Sequence, residues 1–115
     1  MKVYNIQNYN TSFGIKISPD FIKAADEFYV QHNKQQDQFN KIYRKAKYME
    51  ENYGFDEYTI IASGFTKNGK RLKALFAVKD DNSQKPVLLA AKDSMRKLFE
   101  RFTHINEYEL NNRLL

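Results

Sequence analysis

The sequence predicts an α+β fold: one small domain with the order β-β-α-α-β-β-α, an antiparallel sheet and helices packed on one face of it. Three observations lead there. Two apolar runs between Tyr58 and Lys79 flank Asn68-Gly69, the pair best suited to a type I′ hairpin turn, whose central residues both need positive φ. Apolar residues recur at helical spacing before and after that segment. At 115 residues, 42% hydrophobic, with nine Phe and eight Tyr, the chain has the length and the apolar content for a single packed core spanning residues 1–115.

The elements follow in order. Phe13, Ile15 and Ile17 alternate with small or charged residues, and Val3 to Ile6 are placed to pair with them across Asn8-Tyr9-Asn10-Thr11, giving an N-terminal hairpin. Ser18-Pro19-Asp20 then offers an N-cap, a proline suited to the first helical position and an acid for the helix N-terminus. The helix carries the stripe Phe21, Ile22, Ala25, Phe28, Tyr29. A polar stretch, QHNKQQDQ from Gln31 to Gln38, separates it from a second stripe of Phe39, Ile42, Tyr43, Ala46 and Met49, which ends at Gly54. One uninterrupted helix would be about 50 Å long at 1.5 Å per residue, so two helices meeting near Asn33 to Asp37 are expected.

The Asn68-Gly69 hairpin comes next, closed by the polar turn Asp80-Asp81-Asn82-Ser83. Leu88, Ala91, Met95, Leu98, Phe99 and Phe102 then fit a third helix with Pro86 near its start, Pro86 to Ala91 being readable also as a short strand. Residues 104–115 contain a short helix-forming tail whose Tyr108, Leu110, Leu114 and Leu115 suit docking on the body or on a partner. The expected core is Ile15, Ile17, Phe21, Ala25, Phe28, Phe39, Ile42, Ala46, Ile60, Phe76, Val78, Met95, Leu98 and Phe102.

Several chemistries find no support. The absence of cysteine excludes disulfides, thiolate zinc sites and cysteine nucleophiles. The apolar stretch Val87 to Ala91 is only five residues long and Met1 to Asn5 lack an apolar signal core, so the expectation is a cytoplasmic protein with no membrane partner. The sequon Asn10-Thr11-Ser12 carries little weight without secretion. Gly64-Phe65-Thr66-Lys67-Asn68-Gly69-Lys70 fits the start of a phosphate-binding loop. However, Arg71 stands where that motif needs Ser or Thr, and Leu72, Ala74, Phe76 and Val78 alternate like a strand where it needs a helix. His32 and His104 have no second ligand at metal spacing, and capping or surface roles account for them. The carboxylate pairs Glu50-Glu51, Asp56-Glu57 and Asp80-Asp81 lie beside turns and helix ends, where acids are usually solvated. Ser63 and Ser94 have no neighbouring His. The expectation is therefore a non-enzymatic protein with no cofactor and no metal.

Charge is the remaining signal, and it is segregated. Residues 34–49 carry a net +4 and residues 67–101 a net +6, whereas the rest of the chain carries −5. On the second helix Lys41, Arg44 and Lys45 fall opposite the apolar stripe. The hairpin tip holds Lys67, Lys70, Arg71 and Lys73, and Lys92 and Arg96 share a face of the third helix. Such clusters suit the phosphates of a nucleic acid, whose type the sequence leaves open. Residues 38–102, in the order helix, strand, strand, helix, resemble the double-stranded-RNA-binding domain in architecture. That family opens its last helix with a Gly-rich, Lys-Lys-Ala stretch, which Lys85-Pro86-Val87-Leu88-Leu89 does not match, so no family is assigned. The function expected is a nucleic-acid-binding accessory protein contacting phosphates through these nine residues. The alternative is a small phage or mobile-element protein that modulates a host protein, consistent with the abundance of Lys, Asn, Tyr and Ile. A homodimer is compatible with either and would change the footprint.

Overall fold

The hairpin forms as its turn requires: Asn68 and Gly69 have φ of 53° and 77°, and β2 (Tyr58–Lys67) pairs with β3 (Lys70–Lys79) from Lys67↔Lys70 to Tyr58↔Lys79. The structure, a computed structural model, describes residues 14–115. The expected strand at Val3 to Ile6, its turn at Asn8 to Thr11, the sequon and Phe13 lie outside the described residues.

The described chain runs β1 (Lys16–Ile17), α1 (Pro19–Ala25), α2 (Gln36–Asn52), β2, β3, β4 (Val87–Lys92), α3 (Met95–Thr103) and α4 (Glu107–Leu114), with a sheet ordered β1-β2-β3-β4. It is an α+β domain, but two features differ from the sequence expectation. The sheet is mixed, because β1 lies parallel to β2 through Lys16↔Thr59 and Ile17↔Ile60. The order β-β-α-α-β-β-α is also corrected at its end: Pro86 to Ala91 is mostly strand, not the start of a helix. Leu88, Ala91 and Met95 satisfy helical spacing by coincidence, and the pairing available along β3 outweighs it, with Ser94 starting the helix instead. No helix among the described residues is long and apolar enough to cross a membrane.

The helices form where local chemistry allows. Ser18 caps α1, its hydroxyl accepting from the Asp20 amide at 3.2 Å, with Pro19 in the first turn. The helix then widens into a π-helical stretch, Asp26–Gln31, and stops at a left-handed Lys34 with φ 57°. The expected break between two helices is therefore present. At the far end of α2 the stop is not made by Gly54: Tyr53 is already extended, and the left-handed residue is Phe55, φ 72°.

The main core lies between the helices and one face of the sheet. Ile17, Ile60, Leu75, Ala77 and Leu89 meet Phe21, Ala25, Tyr29, Ile42, Met49, Leu98, Phe99 and Phe102 there, with Phe28, Phe39 and Met95 partly buried against them. Phe76 and Val78, expected in this core, lie on the opposite face. Leu75 and Ala77 take the inward positions because they stand across from Ala62 and Ile60. In the tail, Leu110 is fully buried and Leu114 packs on the core, whereas Tyr108 and Leu115 are 73% and 90% exposed.

Candidate nucleic-acid interface

Pairing along the hairpin decides where its cations go. Thr66↔Arg71 and Gly64↔Lys73 stand on the helix-bearing face near the turn, while Lys67↔Lys70 falls on the other by the two-residue alternation. Gly64 leaves room for Arg71, whose guanidinium would lie 3.4 Å from a Cβ at position 64. Because β4 runs back toward the tip, Lys92 lands directly opposite Lys73. Two like charges in direct cross-strand register destabilise a sheet, so this pair has an electrostatic demand that an anion would meet. Among the described residues, Lys67, Lys70, Arg71, Lys73 and Lys92 form no ion pair.

The start of α3 adds to this end of the molecule. The Ser94 hydroxyl accepts from the Lys97 amide at 3.2 Å, and Lys97 bridges Asp93 at 3.2 Å. The Lys97 ammonium, by hydrogen bond and charge, holds the Asp93 carboxyl below its ordinary value, and Lys70 contributes through space, which places the hairpin tip near the α3 N-terminus. A cleft of about 590 Å³ runs from there between α2 and α3, lined by Tyr29, Gln38, Lys41, Lys92, Arg101 and His104 among others. Arg101 is paired with Glu109 of α4 and Lys97 with Asp93, so Lys41 and Lys92 are the cleft's cations without an ion pair among the described residues; Glu100 also lines the cleft. Tyr29, which lines the cleft, is only 2% exposed; burial pushes its phenol above the ordinary value, with Arg96 opposing.

Of the nine residues the sequence singled out, Lys67, Lys70, Arg71, Lys73 and Lys92 gather at one end of the sheet, and Lys41 joins them across the cleft. Arg96 is engaged otherwise: its guanidinium lies 5.1 Å from the Phe28 ring centroid and 5.7 Å from that of Tyr29, and it reaches the Gln35 side-chain oxygen at 3.5 Å. That geometry makes it a brace between α3 and the π-helical turn. Arg44 and Lys45 continue along α2 away from the tip, and Lys45 is held by the Tyr53 hydroxyl at 3.1 Å. The Tyr29 and Gln38 contributions were not readable, since Tyr29 sits in an apolar stripe and only the packing of α2 on α3 creates the cleft.

At the opposite end several acids hold the fold together. Glu107 accepts from the Gly54 amide at 3.0 Å, Glu50 accepts from the Ile17 amide at 3.3 Å, and Asp80 accepts from the Thr59 hydroxyl at 2.8 Å while pairing with Lys16. The two histidines terminate helical segments, His32 after the π-helical turn and His104 after α3, where its Nδ1 lies 2.9 Å from the Glu100 carbonyl. No group of three or more metal-ligating side chains occurs among the described residues. Comparison with known protein families, curated proteins and solved structures finds no match.

Proposed function

We propose that this chain is a non-enzymatic nucleic-acid-binding accessory protein that grips phosphates with the basic end of its sheet. The observation that carries the reading is the convergence of Lys67, Lys70, Arg71, Lys73 and Lys92 at one end, without an ion pair among the described residues and with Lys73 and Lys92 in direct register. Packing does not require that arrangement, and a row of phosphates satisfies it. The order α2-β2-β3-β4-α3, two helices on one face of three antiparallel strands, favours duplex RNA as the first probe, by its architectural resemblance to the double-stranded-RNA-binding domain. The tip hairpin and the start of α3 are the elements that would reach the backbone, with Lys41 extending the footprint along α2.

Fluorescence anisotropy with labelled single-stranded and duplex RNA and DNA, at about 50 and 200 mM salt, tests it. Three to five phosphate contacts predict that affinity falls roughly 40- to 500-fold over that range. Lys70→Glu with Arg71→Glu should lower it further at either salt. No binding of any of the four probes at the lower salt would overturn the reading.

A further inference from the structure

The sheet has two faces, and the described helices cover one. On the other, register places Ile61 against Phe76, Phe65 against Leu72 and Phe76 against Leu88, with the Phe65 and Phe76 rings edge to face at 6.1 Å. These residues are half-buried by one another and belong to no part of the helix-side core, and Ala74 among them is fully buried. An antiparallel sheet face that meets water normally alternates to polar residues, so this one is built for a partner.

We infer that the outer sheet face is a homodimer interface, in which a second copy packs face to face with its strands reversed about a two-fold axis. Charge selects that partner and that alignment. At the tip, the alternation puts Lys67 and Lys70 on this face, with Asp93 near Lys70; at the other end Asp80 is taken up by the Thr59 hydroxyl and Lys16, and Asp81 in the turn is the negative charge left for a partner. Lys16 at that end is bonded to Asp80, and Lys79 faces the helices beside Tyr58. Reversing one copy sets each tip over the partner's acidic turn, whereas aligning the copies would stack four lysines. The arrangement is isologous, as a two-fold requires, and sheets pack this way about 10 Å apart. A face roughly 33 Å long and about 14 Å across buries on the order of 900 Å² over two copies, at the small end of specific interfaces, so the dimer is a weak, concentration-dependent one. Arg71, Lys73 and Lys92 remain on the helix-bearing sides, so the dimer presents two basic ends pointing in opposite directions. The inference holds whether or not nucleic acid is the ligand.

Sedimentation equilibrium of the full chain from about 1 to 100 µM should show the mass rising from monomer to dimer. Phe76→Asp should weaken dimerisation more than tenfold while the far-ultraviolet spectrum is kept; Leu72→Ser, nearer the tip, serves if that variant does not fold. Lys67→Glu with Lys70→Glu should also weaken it, and adding Asp81→Lys should restore it. A monomer throughout overturns the inference. A dimer indifferent to Phe76→Asp overturns it too, and one indifferent to the charge reversals overturns the reversed alignment.

Discussion

The two ends of the sheet carry opposite charge and use it differently. At the end away from the hairpin turn, Glu50, Asp80 and Glu107 are spent on amides, a hydroxyl and Lys16, and they fasten β1, β2 and α4 together. At the tip, Lys67, Lys70, Arg71, Lys73 and Lys92 fasten nothing among the described residues. The contrast teaches how to tell a structural charge from a functional one. The first has a buried or backbone partner whose loss costs stability, and the second is held by strand pairing in a place where only an external anion can answer it.

That contrast can be broken at either end. The largest effect belongs to the acidic end, where a Cβ on Gly14 would stand 2.0 Å from the Tyr53 carbonyl oxygen and 2.8 Å from that of Met49. Gly14→Ala is expected to cost about 3 kcal/mol, measured by urea denaturation, because rigid backbone must move. Next is the tip: Arg71→Glu with Lys73→Glu, both on the helix-bearing face, should weaken nucleic-acid binding roughly 100-fold and flatten the salt dependence by about two contacts, leaving the urea midpoint unchanged. A comparable loss of stability there would erase the distinction between the two ends.

Smaller effects sharpen it. Glu107→Ala removes the acceptor of the Gly54 amide and should cost about 1–2 kcal/mol without altering binding. Tyr29, raised by burial, favours the fold in its neutral form. Its contribution is complete below the ordinary tyrosine value of 10.0 and is lost as pH rises through its higher folded value. The ultraviolet titration of the protein minus that of Tyr29→Phe should show one phenol ionising above that value. The smallest change is at Asp93, lowered first by its hydrogen bond from Lys97. Its contribution is present above the ordinary carboxylate value of 3.8 and is lost as pH falls through the lower folded one. Lys97→Ala should move the Asp93 carboxyl back up, as followed by carbon-detected nuclear magnetic resonance.

Much of this was legible because some local signals admit one reading. Asn68-Gly69 requires positive φ twice, Ser18-Pro19 starts a helix, and an eight-residue polar run cannot continue an apolar stripe. The sequence was silent where two readings shared the same letters. Val87 to Lys92 fits a helix stripe or a strand, and the β3 partner decides. In Lys73-Ala-Leu-Phe-Ala-Val78 both alternating sets are apolar, so periodicity could not say which set meets the helices; that continuous run is itself the mark of a strand covered on both faces. Of the site, the hairpin cations were readable by proximity to the turn. Lys92 joined them through a register set at the other end of β3, and Arg96 left them because Phe28 and Tyr29 captured its guanidinium.

The central claim is that the tip binds phosphates and the acidic end does not. Amide spectra of the isotope-labelled protein, recorded during titration with a short RNA duplex at low salt, test it most directly. The account predicts shifts confined to residues 64–73, 92–97 and the neighbourhood of Lys41, with residues 54–57, 80–84 and 107–110 unmoved. Shifts centred on the acidic end, or spread over the outer face at Phe65, Phe76 and Leu88, would contradict it.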